Sequence, residues 1–165
     1  MLSRDTASGG PKIRVRDLLE GVESQLHLQV LAGSRGLDKE ITVARIQKPG
    51  LALAGFIEYI HPGRVQILGQ SEITFLARLS PEKRVDIVNQ VCGCDVTCFV
   101  ITKGLDPPDD LVRAADSYDI PLLRTREVSS ATIDDLTQFL EEQLAPQVSL
   151  HGVLIDVYGV GVLLL

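Results

Sequence analysis

Short apolar runs alternate with segments of helical periodicity between residues 64 and 145, and this alternation is typical of an α/β fold. One run, VTCFVI at residues 96–101, is apolar without interruption, as expected for a central strand covered on both faces. Further runs at residues 64–68 and 120–123 predict two more strands. Parallel strands need crossover connections, and the intervening segments carry helix signals. We therefore predict a mixed, mostly parallel sheet with flanking helices.

The helix signals lie between and after these runs. A helix at residues 73–79 is predicted after a Gly-Gln-Ser-Glu turn, and a second helix starts with proline at its first position, after Ser80. A third begins near residue 107. The last helix buries one apolar face, ends before Pro146, and has three candidate N-cap residues, Ser129, Ser130 and Thr132.

The first half of the chain is less regular. Its pattern predicts a short helix at residues 15–22, an alternating strand at residues 26–30, a second short strand at residues 41–46 and a short buried helix after Pro49. The two strands are expected to pair at an edge of the sheet. Residues 13–145 are therefore predicted to form one α/β domain, preceded by a flexible arm of residues 1–12.

Residues 148–165 do not match that domain, because they are almost entirely apolar yet too short to span a bilayer. They predict two buried strands joined through Tyr158 and Gly159. A natural domain rarely ends on an unpaired apolar strand. We therefore expect residues 146–165 to be a linker and the first strands of a second, truncated domain.

Composition argues against several classes of protein. Sixteen basic against 22 acidic residues give a net charge of −6, and aromatic residues make up only 4% of the chain, so a nucleic-acid partner is not expected. No apolar segment resembling a signal peptide begins the chain, and no membrane association is expected. The odd number of cysteines, three, favours a reducing compartment, with the cytoplasm as the default.

The cysteines and histidines do not form a metal-binding pattern. The spacing C-x-C-x₃-C of Cys92, Cys94 and Cys98 has no second ligand pair, so structural thiols are favoured over a metal site. The three histidines are scattered along the chain. The sequence therefore predicts no metal site.

Polar turns follow three of the predicted strands, and each precedes a helix. Ligands of open α/β sheets bind beyond the carboxyl ends of the strands, where helix N-termini favour anions. We therefore predict a crevice for an anionic metabolite or a partner carboxylate, although ordinary solvated turns are the more frequent outcome. The candidate residues are Ser71, Lys103, Gly104, Arg124 and Thr125.

Several stretches resemble the bacterial HPr kinase/phosphorylase family, in which an α/β N-terminal domain precedes a P-loop kinase domain. They occur in the family's order and cover most of residues 13–165. They are KPGLALAGF (48–56), VQILG (65–69), ITKGLDPP (101–108), IPLLRT (120–125), LAP (144–146) and, the most specific, HGVLIDVYGVGVL (151–163). The resemblance implies an N-terminal domain similar to the substrate domain of the muramyl-peptide ligases, which is an analogy of fold alone.

The resemblance also implies the activity of a longer parent enzyme. That enzyme would phosphorylate a serine of the phosphocarrier protein HPr with ATP or pyrophosphate and Mg²⁺, remove the phosphate by phosphorolysis, regulate carbon catabolism and assemble as a hexamer. His151 matches a residue of the family's active site, where it would assist proton transfer or phosphate positioning. Lys48 and Lys103 stand where the family usually has arginine, which puts planar anion contacts there in doubt.

The family's Walker A loop, G-x-x-x-x-G-K-[ST], does not occur in this sequence. We therefore expect the chain to hold no cofactor and to be catalytically silent by itself. The alternative is a stand-alone α/β module that binds a small ligand or a protein. A complete enzyme is the third possibility, but no nucleophile motif with a glycine elbow supports it.

Overall fold

The computed structural model describes residues 10–146, 153–157 and 160–164. Two 3₁₀ turns, Ser34–Gly36 and Ile57–Tyr59, accompany the regular elements. In chain order these elements are β1 (Ile13–Arg14), α1 (Val15–Gly21), α2 (Glu23–Leu26), β2 (Gln29–Ala32), β3 (Glu40–Ile41), α3 (Gly50–Leu53), β4 (Val65–Leu68), α4 (Gln70–Arg78), α5 (Pro81–Cys92), β5 (Cys98–Ile101), α6 (Asp109–Ser117), β6 (Leu122–Arg124), α7 (Ser129–Gln143), β7 (Val153–Val157) and β8 (Val160–Leu164).

The main sheet has four strands in the order β2-β6-β5-β4. Strands β4, β5 and β6 run parallel, and β2 pairs with β6 in the antiparallel direction. The apolar run at residues 96–101 supplies β5, which lies inside the sheet and is buried along its whole length. The prediction of a mixed, mostly parallel sheet with flanking helices is confirmed.

Helices cover both faces of this sheet, because alternate strand residues point to opposite sides. On the front face, Phe99 and Ile101 pack into a core with α3, α4, α5 and α6. On the back face, Cys98 and Val100 pack with α1, α2 and α7. The domain therefore has three layers, with the buried strands in the middle one.

The first half of the chain differs from its predicted strands. Leu26 ends α2, and the next residue, His27, has a left-handed backbone with φ 43°, so the strand begins only at Gln29. The second predicted strand is reduced to Glu40–Ile41, which pairs with β1. Of residues 26–30, only Gln29 and Val30 lie in the strand, and the apolar positions before them, Leu26 and Leu28, are buried in the back core.

The end of the described chain is a separate two-stranded sheet. Strands β7 and β8 pair antiparallel, from Val153 opposite Leu164 to Val157 opposite Val160, so the two predicted strands are present. The predicted junction at Tyr158 and Gly159 lies outside the described residues. Most of the predicted arm, residues 1–9, also lies outside them, and the boundary between residues 145 and 146 stays a prediction. Among the described residues, no helix combines the length and apolar character that crossing a bilayer requires.

Candidate functional site

The connections that follow β5 and β6 leave the sheet in opposite directions. After β5 the chain crosses to α6 on the front face, whereas after β6 it crosses to α7 on the back face. A crevice opens at the carboxyl ends of two neighbouring parallel strands whose connections diverge in this way. The fold itself therefore marks the end of β5 and β6 as a place where a ligand can bind.

A cavity of about 520 Å³ lies at this point, and we call it the switch-point pocket. Its volume falls in the range typical of small-molecule sites, roughly 300–1,000 Å³. Three parts of the chain form it: the end of α2 with the start of β2, the turn after β5, and the end of β6 with the turn that follows. The lining residues are Leu26, His27, Gln29, Gly104, Arg124, Thr125, Arg126 and Glu127.

Arg124 is the basic residue of the pocket whose side chain is held by hydrogen bonds within the fold. It is the last residue of β6, and its side chain is 26% exposed. Its guanidinium donates hydrogen bonds to Asp106 Oδ1 at 2.6 Å and to Gln29 Oε1 at 3.0 Å. Because two partners hold the planar group from different strands and loops, it is oriented before any ligand arrives.

Thr125 has a structural role in the same wall. Its hydroxyl donates to the Leu26 carbonyl at 2.6 Å and accepts from the Glu127 N–H at 3.2 Å, and its own N–H donates to the Ile101 carbonyl. The residue is buried. Since its polar groups already have partners inside the fold, Thr125 shapes the pocket and leaves ligand contacts to its neighbours.

The turn after β5 contributes backbone atoms to the site. Lys103 and Gly104 both have a left-handed backbone with φ 61°. Their N–H groups donate to the Glu127 and Thr125 carbonyls, each at 2.7 Å, and so join this turn to the one after β6. The Lys103 side chain is exposed and does not line the pocket.

Ser71 lies in a different polar cluster, at the end of β4. There the buried Glu72 carboxylate accepts hydrogen bonds from the Gly69 N–H at 2.9 Å and from the Ser71 hydroxyl at 3.0 Å. The Lys48 ammonium lies 3.8 Å from the same oxygen. The start of α4 is therefore already occupied by a carboxylate from the chain itself, which leaves no evident place for an external anion.

The predicted site residues thus fall into two groups. Gly104, Arg124 and Thr125 share the switch-point pocket, whereas Ser71 belongs to the Glu72 cluster and Lys103 contributes only backbone. The prediction that a hydroxyl side chain caps the last helix is wrong, because Val128 holds the N-cap position.

The hydroxyl side chains at the start of α7 have other partners. Ser129 forms a hydrogen bond of 2.7 Å with the Thr102 hydroxyl. The Thr132 hydroxyl donates to the Val128 carbonyl. His151 lies outside the described residues, so its predicted role stays a prediction.

The described cysteines do not form a reactive or metal-binding centre. Burial raises the pKa of the Cys92 and Cys98 thiols to about 12, so both stay protonated near neutral pH. Cys94 is partly exposed and hydrogen-bonds the Gln90 carbonyl. In the part of the chain that the structure describes, no group of three or more His, Cys, Asp or Glu side chains could hold a metal ion.

Fold and pocket together define an open α/β domain with helices on both faces and a cavity at the switch point of its sheet. Comparison with known families identifies which domain of this class it is. Residues 13–140 match the family model described as HPr Serine kinase N terminus, and the chain belongs to that family.

Two curated relatives are called HPr kinase/phosphorylase. The protein from Geobacter sulfurreducens is 47% identical over 153 residues, covering 93% of this chain and 48% of the relative. The protein from Bacillus cereus strain AH820 is 37% identical over 154 residues, with the same coverage. The chain therefore spans about half the length of the curated relatives it matches.

A solved structure shows a more distant likeness. It contains the CBS and DRTGG domains of the regulatory region of a Clostridium perfringens pyrophosphatase, complexed with the activator diadenosine tetraphosphate. The TM-score is 0.49 at 15% sequence identity, over 86% of this chain and 56% of the other. A likeness of this size carries no argument about function.

Proposed function

We propose that this chain is the N-terminal portion of a bifunctional HPr kinase/phosphorylase. The parent enzyme would phosphorylate a serine of HPr with ATP or pyrophosphate and reverse the reaction by phosphorolysis, as part of carbon-catabolite control. The observation that carries the proposal is the 47% identity to the Geobacter sulfurreducens enzyme over 93% of the chain. Under this proposal the protein acts in the cytoplasm, with HPr as its partner, and assembles as a hexamer.

The residues of this chain do not fit a nucleoside triphosphate with its Mg²⁺. Phosphoryl transfer needs backbone N–H groups and a lysine around the phosphates, and a metal to neutralise them. The sequence contains no G-x-x-x-x-G-K-[ST] segment. We therefore assign the transfer chemistry, ATP and Mg²⁺ to the remainder of the parent enzyme, and propose that this chain by itself is catalytically silent.

Only His151 in this chain is proposed to take part in the parent's reaction, in proton transfer or phosphate positioning. It follows the described domain in sequence and precedes β7 by two residues. Loss of an acid–base group typically lowers a rate by roughly 100-fold or more.

A chimera tests the proposal. The segment of the Geobacter sulfurreducens relative that matches this chain is replaced by this chain's own residues, and phosphorylation of HPr is followed by mass spectrometry. We expect the chimera to phosphorylate HPr and its His151→Ala variant to lose most of the rate while keeping the same oligomeric size. A chimera that folds, as judged by circular dichroism and size-exclusion chromatography, yet transfers no phosphate would contradict the proposal.

The second candidate is a stand-alone module that binds a small ligand, and the switch-point pocket is the observation that favours it. The two candidates give different results in the same chimera. If this chain were a stand-alone module, the chimera that carries it would not be expected to phosphorylate HPr.

A further inference from the structure

We propose that the switch-point pocket binds a small metabolite through an oxyanion group, a phosphate monoester or a carboxylate, with Arg124 and Arg126 as its main ligands. This inference goes beyond the proposed function and does not depend on it. The pocket lies in the described α/β domain, and its residues come from α2, β2 and the turns after β5 and β6.

Topology and shape, two separate observations, select the same place. The connections after β5 and β6 lead to helices on opposite faces of the sheet, and this divergence predicts a crevice at the carboxyl ends of the two strands. The 520 Å³ cavity is found there, lined by residues from both of those turns. A cavity that arose only from loose surface packing would not be expected to lie at the carboxyl ends of these two strands.

The pocket is less acidic than the chain as a whole, which has a net charge of −6. Arg124 and Arg126 line the cavity with the carboxylate of Glu127, and Asp106 pairs with Arg124 beside it. Arg124 is oriented by Asp106 and Gln29. Within the described residues, Arg126 is exposed and has no carboxylate within salt-bridge distance, so its guanidinium is available to a ligand.

Residues with a left-handed backbone adjoin the same cavity. Four non-glycine residues of the described chain have a positive φ, and two of them, His27 and Lys103, adjoin or line the pocket. The other two are aspartates, and aspartate and histidine both adopt this conformation more often than most residues, so Lys103 is the unusual residue of the four. Strained residues of this kind persist where the surrounding structure fixes them, and they cluster at ligand sites.

The chemistry of the lining defines the class of ligand. A guanidinium offers a planar pair of N–H donors that matches the oxygens of a phosphate or a carboxylate. Gln29 and Glu127 add an amide and a carboxylate that can bond hydroxyl groups on the body of the ligand. The pocket therefore suits a small hydroxylated molecule with one or two oxyanion groups.

Titration of the ¹⁵N-labelled 165-residue chain, followed by NMR at low ionic strength, tests this inference. The probes are inorganic phosphate, glycerol 3-phosphate and succinate, with glycerol as the neutral control. We expect saturable shifts at the amides of Gly104, Arg126 and Glu127 with at least one anion and none with glycerol. Comparison of glycerol 3-phosphate with succinate shows whether the oxyanion is a phosphate or a carboxylate.

Variants distinguish anion binding in this pocket from non-specific attraction of anions to surface arginines. Arg126→Ala is expected to weaken binding at least tenfold, and Arg126→Lys to restore only part of it, because lysine keeps the charge but loses the planar pair of donors. Arg126 is exposed, so the variant keeps its fold. Arg45→Ala removes an exposed arginine that does not line the pocket, so this variant should bind the anion as tightly as the unsubstituted 165-residue chain.

Two results would overturn the inference. One is the absence of saturable shifts at the pocket with all three anions. The other is an affinity that Arg126→Ala and Arg45→Ala lower equally, since the binding would then follow net charge and not this cavity.

Discussion

Replacing Glu72 by alanine removes the buried acceptor at the start of α4, and the structure gives the expected cost. The Gly69 N–H loses its partner, and an unsatisfied buried donor costs about 1–3 kcal/mol. The Ser71 hydroxyl is on an exposed residue and can bond water instead. Lys48 is 45% exposed, so its attraction to Glu72 adds at most about 1 kcal/mol. We expect Glu72→Ala to lower the free energy of unfolding by about 1–4 kcal/mol.

Glu72→Gln provides the matched comparison. Glutamine keeps an acceptor oxygen at the same distance along the side chain but removes the charge. The hydrogen bond to Gly69 survives, so this variant should lose less than about 1 kcal/mol. Urea unfolding followed by circular dichroism measures both variants, which suits a chain without tryptophan.

Comparison of the stability lost in Glu72→Ala with that lost in Glu72→Gln shows whether the hydrogen bond or the charge supports the helix. Equal losses in Glu72→Gln and Glu72→Ala would show that the charge, and not the hydrogen bond, supports the start of α4. A loss below about 0.5 kcal/mol in Glu72→Ala would show that water can satisfy the Gly69 N–H. Burial of that N–H would then contribute almost nothing to the free energy of unfolding.

Three further predictions concern the core, an ion pair and the thiols. Phe99→Ala, at a residue 1% exposed, should cost about 3–5 kcal/mol in urea unfolding, whereas Tyr118→Ala at an exposed site should cost under about 0.5 kcal/mol. The hydrogen bond from Arg84 lowers the pKa of Asp110, so this carboxylate stabilises the fold above the ordinary aspartate pKa, and its contribution is lost as the pH falls through the lowered value. Asp110→Asn should therefore flatten the loss of stability between neutral and acidic pH in the same assay. Iodoacetamide near neutral pH should label Cys94 first and reach the two buried thiols only after unfolding, as peptide mass spectrometry would show.

The sequence was sufficient for the elements whose patterns are local. The apolar run of β5 and the Ser80-Pro81 start of α5 each depend on a few neighbouring residues, and both are present as predicted. The last residue of α2, Leu26, was assigned to a strand because Leu26 and Leu28 alternate with polar residues as a strand would. Burial in the back core explains that alternation equally well, and periodicity over five residues does not separate the two.

The candidate site could be predicted only in part, because its two walls come from residues that lie far apart in the sequence. Arg124 ends one strand and Gly104 follows another, so the rule for carboxyl ends selects both. The opposite wall, which includes His27 and Gln29, is brought to them by antiparallel pairing between β2 and β6. The paired residues are ninety or more positions apart in the chain, and the nearby hydrogen bond from Thr125 to Leu26 spans 99 positions. No local pattern encodes such a register.

The two hydrogen bonds that link the turns after β5 and β6 have a mechanical consequence. One turn leads into the front helix layer and the other into α7, so these bonds join the two layers at one edge of the sheet. Helix α7 has 15 residues and is therefore a stiff rod about 22 Å long. Leu136 and Leu140 of this helix are buried in the back core, so a shift of the turn after β6 would have to move that core together with the turn after β5.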